Sequence, residues 1–409
     1  MSLKVLSINK YYRPKGGAET IYLGEMEQLR KAGHQVVPFS MKDERNLPSD
    51  YDRYFVNNID YEKPGLGNKI IASSKILYSF EARAKLSSLL DQHAFDIAHL
   101  HNIYHQLSPS ILGALKKRNI PIVASVHDLK LLCGNYKMYV NGEVCERCKG
   151  GRHYQLLLNR CTKNSLAGSL VNMVEMYLHG AARIYSQIDL LIAVSHFYRK
   201  KLIDFGIDEN KVVYLPSFVE VEKYRVAESV SDFVLYFGRL SEEKGVDTFI
   251  EAAAFNPKVP HWIVGSGPEE LTLKAQVVNA ELDNVRFLGF QSGKNLQKLV
   301  SEALAIVVPS RWYENSPLTV MEGFAHGRPV IGANIGGIPE LVVPQVDGFL
   351  FKPGDALDLA NQIAILAADP ALANEMGQRG RKKMRLEFNE AHHIATLLDI
   401  YDQARASHS

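Results

Sequence analysis

The sequence predicts an α/β protein built from two doubly wound parallel sheets that face each other across a central cleft. Three observations carry that expectation. At 409 residues the chain is long enough for two domains with separate cores. Strand-like runs alternate with helical stretches, which implies βαβ units and parallel pairing. The alternating series runs twice, with a charged and weakly patterned stretch between the two passes.

The first series opens at Lys4-Val5-Leu6-Ser7-Ile8, an apolar run of strand length. Residues 17–32 follow as a helix, because Ile21, Leu23, Met26 and Leu29 recur at near-helical spacing. Short apolar runs at 35–39, 97–101, 122–126 and 190–194 read as further strands. Leu215-Pro216-Ser217-Phe218 and the charged residues up to Asp232 read as the linker between domains. The second series begins at Phe233 and continues through Trp262-Ile263-Val264, Val285-Arg286-Phe287, residues 306–308 and Val330-Ile331. The expected division is therefore 1–214, 215–388 and a terminal segment 389–409. No short-period repeat or low-complexity tract interrupts it.

Apolar residues at 46% and charged residues at 22% are ordinary for a globular chain. A strand begins at once rather than a signal peptide, and no apolar run reaches the ~18 residues of a membrane span. A cytoplasmic location is expected, with peripheral attachment at the inner face of the cell membrane as a variant. The net charge of +2 hides an asymmetry: residues 1–201 hold 28 basic against 17 acidic side chains, and residues 202–409 hold 19 against 28. A basic half suits an anionic acceptor or anionic lipid headgroups, although two mutually attracting solvated surfaces also explain it. Nucleic acid is not expected, since no basic block interleaves with aromatic residues.

The segment from Ser310 to Gly323 is the richest in chemistry. Residues 306–309 read as a buried strand, and Pro317 suits the first position of a helix. Glu314 then lies on the loop and Glu322 in the second helical turn, eight positions later. Backbone N–H groups around Ser316 and Leu318 would point out of the helix start, a site for an anion. Carboxylates on both sides of an anion site suit a ligand with hydroxyls at each end and phosphate in the middle, as in a nucleotide sugar. Upstream, the run 234–237 leads into Gly238-Arg239-Leu240 and Ser241-Glu242-Glu243-Lys244-Gly245, which puts Arg239 and Lys244 where open α/β sheets bind ligands. Both cations suit a leaving diphosphate, with a surface salt bridge to Glu242 or Glu243 as the alternative. Gly16 and Gly17 allow backbone N–H groups to approach phosphate closely. Gly336-Gly337 makes a further glycine turn. A nicotinamide-binding sheet would need Gly-x-Gly-x-x-Gly after its first strand, and neither Lys15-Gly16-Gly17-Ala18-Glu19 nor Gly265-Ser266-Gly267-Pro268 supplies it.

These blocks together resemble glycosyltransferase family 4, whose members are retaining, nucleotide-sugar-dependent enzymes of the GT-B fold with two Rossmann-like domains. The resemblance covers essentially the whole chain. It implies transfer of a sugar from a UDP or GDP sugar to a polysaccharide, glycolipid or other lipid-linked acceptor, with retention of configuration and no divalent cation. It also implies that Glu322 binds the ribose hydroxyls, Glu314 a hydroxyl of the donor sugar, and Phe290 lies beside the base. Members commonly end in a helix that crosses back to the first domain, a role open to residues 389–405. Pro-Phe-Gly often follows the first Glu, whereas Asn315-Ser316-Pro317 stands here, which obscures the donor sugar.

His127-Asp128 follows the run 122–126, so His127 falls at a strand end in the cleft. The resemblance assigns such a histidine to the donor sugar near the reacting carbon. Its alternatives are a satisfied core residue or a general base oriented by Asp128. His99 and His101 end another strand, with His101-Asn102 in reach of the acceptor. The one Asp-x-Asp, Asp50-Tyr51-Asp52, reads as solvated surface.

All four cysteines lie within one stretch, as Cys133-x11-Cys145-x2-Cys148-x12-Cys161. Among glycines in a loop, that spacing fits a structural zinc held by thiolates, or else free thiols; disulfides are disfavoured in a cytoplasmic chain. Lys137, Arg147, Lys149, Arg152, Arg160 and Lys163 make the same stretch a candidate for gripping an anionic acceptor. Two other functions share the expected fold: a sugar-nucleotide 2-epimerase, and a non-catalytic sugar-nucleotide-binding protein.

Overall fold

The structure, a computed structural model, describes residues 2–58, 76–105, 107–227 and 230–408. Lys4–Ile8 (β1), Gln35–Phe39 (β2), Ile97–Leu100 (β3), Ile122–Val126 (β4), Leu190–Ala193 (β7) and Val212–Tyr214 (β8) form one parallel sheet in the order β2-β1-β3-β4-β7-β8. A small antiparallel hairpin, Tyr139–Val140 (β5) and Glu143–Val144 (β6), stands apart from it. Val234–Phe237 (β9), His261–Val264 (β10), Val285–Phe287 (β11), Ala305–Val308 (β12), Val330–Ala333 (β13) and Gly348–Phe351 (β14) form a second parallel sheet, β11-β10-β9-β12-β13-β14. Every residue of β3, β4, β9 and β12 is buried, as parallel strands covered on both faces require. This is the α/β, two-sheet architecture the alternation predicts.

Each sheet reverses its winding once. The first does so between β1 and β3, the second between β9 and β12. Loops leaving the carboxyl ends of strands at such a reversal diverge and open a crevice. The site is built from those four loops.

Two elements complete the frame. Gly17–Lys31 (α1) follows β1, and Glu390–Ala406 (α14) is the last of the fourteen helices among the described residues. Ile394, Leu397, Ile400, Tyr401 and Ala404 of α14 pack with Leu3, Val5, Tyr22 and Met26, so the terminal helix belongs to the first sheet's core. Each fully buried Leu or Ile in that seam contributes about 1.5–3 kcal/mol. The stretch read as a linker is partly docked: Val219 and Val221 join the second core, and Val219 N–H donates to the Phe388 carbonyl. No described helix is long and apolar enough to cross a membrane.

Four strands escaped the sequence reading. Val212–Tyr214 is three residues long, the hairpin strands two each, and β14 opens on a glycine. A Cβ on Gly348 would lie 2.0 Å from the Val330 carbonyl oxygen, so close strand approach, not poor strand character, explains that residue. Pro317 is also placed differently. Helix Leu318–Ala325 (α10) starts one residue later, with Pro317 extended (φ −68°, ψ 114°) as the residue before it.

Candidate active site

A cavity of about 930 Å³ lies where the four reversal loops meet. The first sheet contributes Lys10, Tyr11, Lys15, Gly16 and Gly17 after β1 and Asn102 after β3; the second contributes Gly238, Arg239 and Lys244 after β9 and Ser310, Glu314 and Pro317 after β12. Phe290 and Thr319 complete that side, and Phe290 is largely exposed at the rim. Helix α1 starts at Gly17 with no side-chain cap on its N-terminal N–H groups, so its positive end opens on this space.

Glu314 is a buried acid of the site. Lys244 Nζ lies 2.7 Å from its Oε1, and Ser310 Oγ donates to the same oxygen at 2.5 Å. Burial alone would raise its carboxyl, but the Lys244 ammonium and these hydrogen bonds outweigh that and hold it below the usual range. The glycines fix where it sits. Gly245 is left-handed (φ 66°), and a Cβ there would come within 2.0 Å of the Pro309 carbonyl oxygen. Gly337 N–H donates to the Glu314 carbonyl at 2.8 Å, and a Cβ on it would lie 1.8 Å from the Asn315 carbonyl oxygen. The Gly336-Gly337 turn therefore exists so that backbone can pack against the Glu314 loop.

Arg239 and Lys244 share one loop but differ in state. Lys244 is committed to Glu314, whereas Arg239 is exposed and pairs with no carboxylate among the described residues. The salt bridge offered as its alternative is not formed, since Glu243 pairs with Lys137 at 3.1 Å. Lys10, Tyr11, Lys15, Lys130 and Thr319 also line the cavity and were missed; for Lys10 the signal was its position two residues past β1 at a reversal. Lys15 stacks over Tyr11 at 3.7 Å, and Lys130 is buried against Glu175 at 2.7 Å.

Four expected site residues stand back from the cavity wall: His127, Ser316, Leu318 and Glu322. Leu318 reaches to 3.5 Å from where a Gly17 Cβ would be, closing the gap between the sheets. Ser316 Oγ turns to Met321. Glu322 lies one turn after Thr319 on α10, hence beneath the cavity on the same helix face. His127 Nε2 shares a 2.9 Å hydrogen bond with His101 Nδ1. His101 in turn lies 3.4 Å from Glu25 of α1, with His99 and His393 on the same buried carboxylate. Burial pushes His127 down to about 4 and His101 well below its ordinary value, so both rings are neutral near pH 7. Two expectations fail on this geometry. Asp128 accepts from Lys130 N–H at 3.0 Å and does not orient His127, and His101 is buried rather than turned to an acceptor. Asp50 and Asp52 are exposed, as read.

A family model described as Glycosyltransferase Family 4 matches residues 15–223, and one described as Glycosyl transferases group 1 matches residues 222–383. The chain belongs to glycosyltransferase family 4. Similar proteins include the amylovoran biosynthesis glycosyltransferase AmsK of Erwinia amylovora, 29% identical over 238 residues, which are 55% of this chain and 58% of that protein. N-acetyl-alpha-D-glucosaminyl L-malate synthase of Bacillus anthracis is 23% identical over 395 residues, 95% of this chain and 94% of that one. Among solved structures, Anabaena HepE in complex with UDP and glucose superposes with a TM-score of 0.71 at 18% identity, covering 98% of this chain and 100% of that one. Both sheets of the present glycosyltransferase thus have the GT-B arrangement.

The departure of this family 4 enzyme at Asn315 has a structural counterpart. Asn315 Nδ2 donates to the Val126 carbonyl at 2.8 Å, and its Oδ1 accepts from Ser195 Oγ at 3.0 Å. One side chain thereby ties the Glu314 loop to the end of β4, next to His127. Glu340 makes a second tie, accepting from His196 and Phe197 N–H at 2.8 and 2.6 Å across the cleft.

If Glu322 holds a diol of the donor, as the resemblance implies, binding should carry a pH signature. Burial pushes its carboxyl up to about 7. A diol donating to the carboxylate favours the ionised form, so binding expels a proton below that value. Affinity for an intact nucleotide sugar, whose esterified diphosphate does not titrate there, should rise as pH increases through about 7 and then level off. Titration calorimetry from pH 5.5 to 8.5 checks this; Glu322→Gln should flatten the profile, and a flat wild-type profile removes Glu322 from the ligand.

Proposed function

We propose that this enzyme transfers a sugar from a nucleoside-diphosphate sugar, UDP- or GDP-linked, to a polysaccharide, glycolipid or lipid-linked acceptor, with retention of configuration. The observation that carries the reading is the convergence of unpaired Arg239, Lys244 and the open start of α1 at Gly16-Gly17 on one cavity beside Glu314. As the bond from the anomeric carbon to the β-phosphate oxygen breaks, negative charge grows on the diphosphate. Arg239, Lys244 and the helix N-terminus meet that charge, Arg as a fork and Lys as a point charge. Lys10 and Lys15 add to the same field. This fixed positive charge does the work a divalent ion would do, which supports a metal-independent reaction.

Glu314 accepts from a donor-sugar hydroxyl while Lys244 keeps it ionised; Glu322 receives the ribose through the face it shares with Thr319; Phe290 flanks the base at the rim. Ser316 and Leu318 act through their backbone at the start of α10. His127, held neutral by burial and steadied by His101, offers a ring atom to the donor sugar and not a base in line with the anomeric carbon. Family membership supports retention, with the acceptor proton passing to the departing diphosphate as the new bond forms on the same face. The basic first half orients the enzyme toward an anionic acceptor or the inner leaflet. HepE, solved in complex with UDP, supports a uridine donor, and AmsK, named for amylovoran biosynthesis, supports a polysaccharide acceptor. A zinc held by Cys133, Cys145, Cys148 and Cys161 would be structural, since none of the four lines the donor cavity.

The test is product analysis by NMR. Donor plus a glycan or lipid-linked acceptor fraction should yield a glycoside with the donor's anomeric configuration. Inverted product contradicts retention. Conversion of donor to its 2-epimer without acceptor would place the enzyme among epimerases.

A further inference from the structure

The four cysteines come together in space. Cys133 follows the turn after β4, Cys145 and Cys148 occupy the turn directly after β6, and Cys161 follows the four-residue helix Gln155–Leu158. All four line one small enclosed pocket, closed by Leu132, Met138 and Phe205, and none is in a disulfide. The Cys-x2-Cys turn is tightly formed, with Cys145 N–H donating to the Met138 carbonyl at 2.7 Å and Lys149 N–H to the Glu146 carbonyl at 3.0 Å. The stretch from Cys133 to Cys161 carries little regular structure. Its regular structure is two two-residue strands and one four-residue helix, and Tyr136, Val144, Tyr154 and Leu158 are exposed. Segments this small need a staple.

This lobe also reaches over the cleft. Lys137 Nζ pairs with Glu243 at 3.1 Å, next to Lys244. Glu146, which lies between Cys145 and Cys148, accepts from the Tyr313 hydroxyl at 2.8 Å, next to Glu314, and pairs with Lys201. The two loops that supply the paired Lys244 and Glu314 are therefore both gripped from the opposite domain by the cysteine lobe.

We infer that Cys133, Cys145, Cys148 and Cys161 bind one zinc ion, and that this ion shapes the lobe so that Lys137 and Glu146 brace the Lys244 and Glu314 loops. The bracing half rests on the donor site proposed above. The sulfurs do not make a closed set here: among the described residues, the group whose ligand atoms all lie within 4.8 Å is Glu25, His99 and His101. In that group His99 is held by hydrogen bonds to Tyr401 and Ser125 and Glu25 Oε1 by His393, whereas Glu25 Oε2 and His101 Nε2 have no hydrogen-bond partner among the described residues. The thiols instead face a shared pocket with no such partners in common, apart from local contacts of Cys133 to Asn135 and Cys161 to Gln155. Zinc at about 2.3 Å from each sulfur would draw them inward by side-chain rotation and release the thiol protons.

Full-length protein purified without chelator should carry about one zinc by elemental analysis, and a mercurial should release that zinc while titrating four thiols. Cys148→Ser should lose the metal. Hydrogen exchange should then quicken about tenfold at residues 240–246 and 310–316, without a general loss of protection. Glu146→Gln should keep the zinc and quicken exchange at 310–316, which separates bracing from misfolding of the cysteine variant. Adding zinc alone to chelator-stripped wild type should restore slow exchange. Four titratable thiols without metal, or two disulfides, overturn the zinc site. Unchanged exchange in both variants overturns the brace. Neither readout uses donor or turnover, so failure of the proposed reaction would be seen separately.

Discussion

Replacing Arg239 or Lys244 by alanine should each lower turnover by ~10²–10³-fold, about 2.7–4 kcal/mol, the loss expected for one preorganised partner of developing charge. The two variants should nevertheless differ in stability. Arg239 is exposed and pairs with no carboxylate among the described residues, so its removal should leave the unfolding midpoint nearly unchanged. Lys244 neutralises buried Glu314 at 2.7 Å, with side-chain exposures of 27% and 7%. Its removal leaves a buried carboxylate with Ser310 as remaining partner, costs about 1–3 kcal/mol, and raises the Glu314 carboxyl toward protonation. Steady-state rates with denaturant unfolding check both. Near wild-type rates in both single variants contradict the diphosphate assignment.

Glu322→Ala and Glu314→Ala should separate cleanly. A ribose ligand serves nucleoside diphosphate and nucleotide sugar alike, so Glu322→Ala should weaken both by about tenfold or more, the worth of charge-assisted hydrogen bonds at ~1.5–3 kcal/mol. With Glu314 on the donor sugar, as proposed, its loss should spare the bare nucleotide and lower turnover with the full donor by ~10²-fold or more. The Glu314 variant also leaves Lys244 free to pair elsewhere, which protects nucleotide binding rather than harming it. Equal loss of bare-nucleotide affinity in both variants contradicts this division.

The fold was legible because parallel strands buried on both faces print as short apolar runs, and β1, β2, β4 and β10 did so. Strands of two or three residues carry too little pattern, and Gly348 reports a close approach to Val330, which no local reading reveals. The site was legible as loops rather than as contacts. Arg239, Lys244, Glu314, Phe290, Gly16 and Gly17 do converge on the cavity. That Lys244 pairs with Glu314, that Asn315 crosses to Val126, and that His127 leans on His101 depend on separations of 26 to 189 residues. Such pairings arise from the facing of two sheets and leave no periodicity in the chain.

Titration calorimetry of the wild type and Arg239→Ala with a panel of UDP and GDP sugars tests the central claim most directly, because it asks whether the cleft binds a nucleotide sugar through its unpaired cation. The account predicts that sugars of one nucleoside bind the wild type, and that Arg239→Ala weakens the best of them by at least tenfold with the fold intact. Binding of none of the panel, or equal affinity for both proteins, would contradict it.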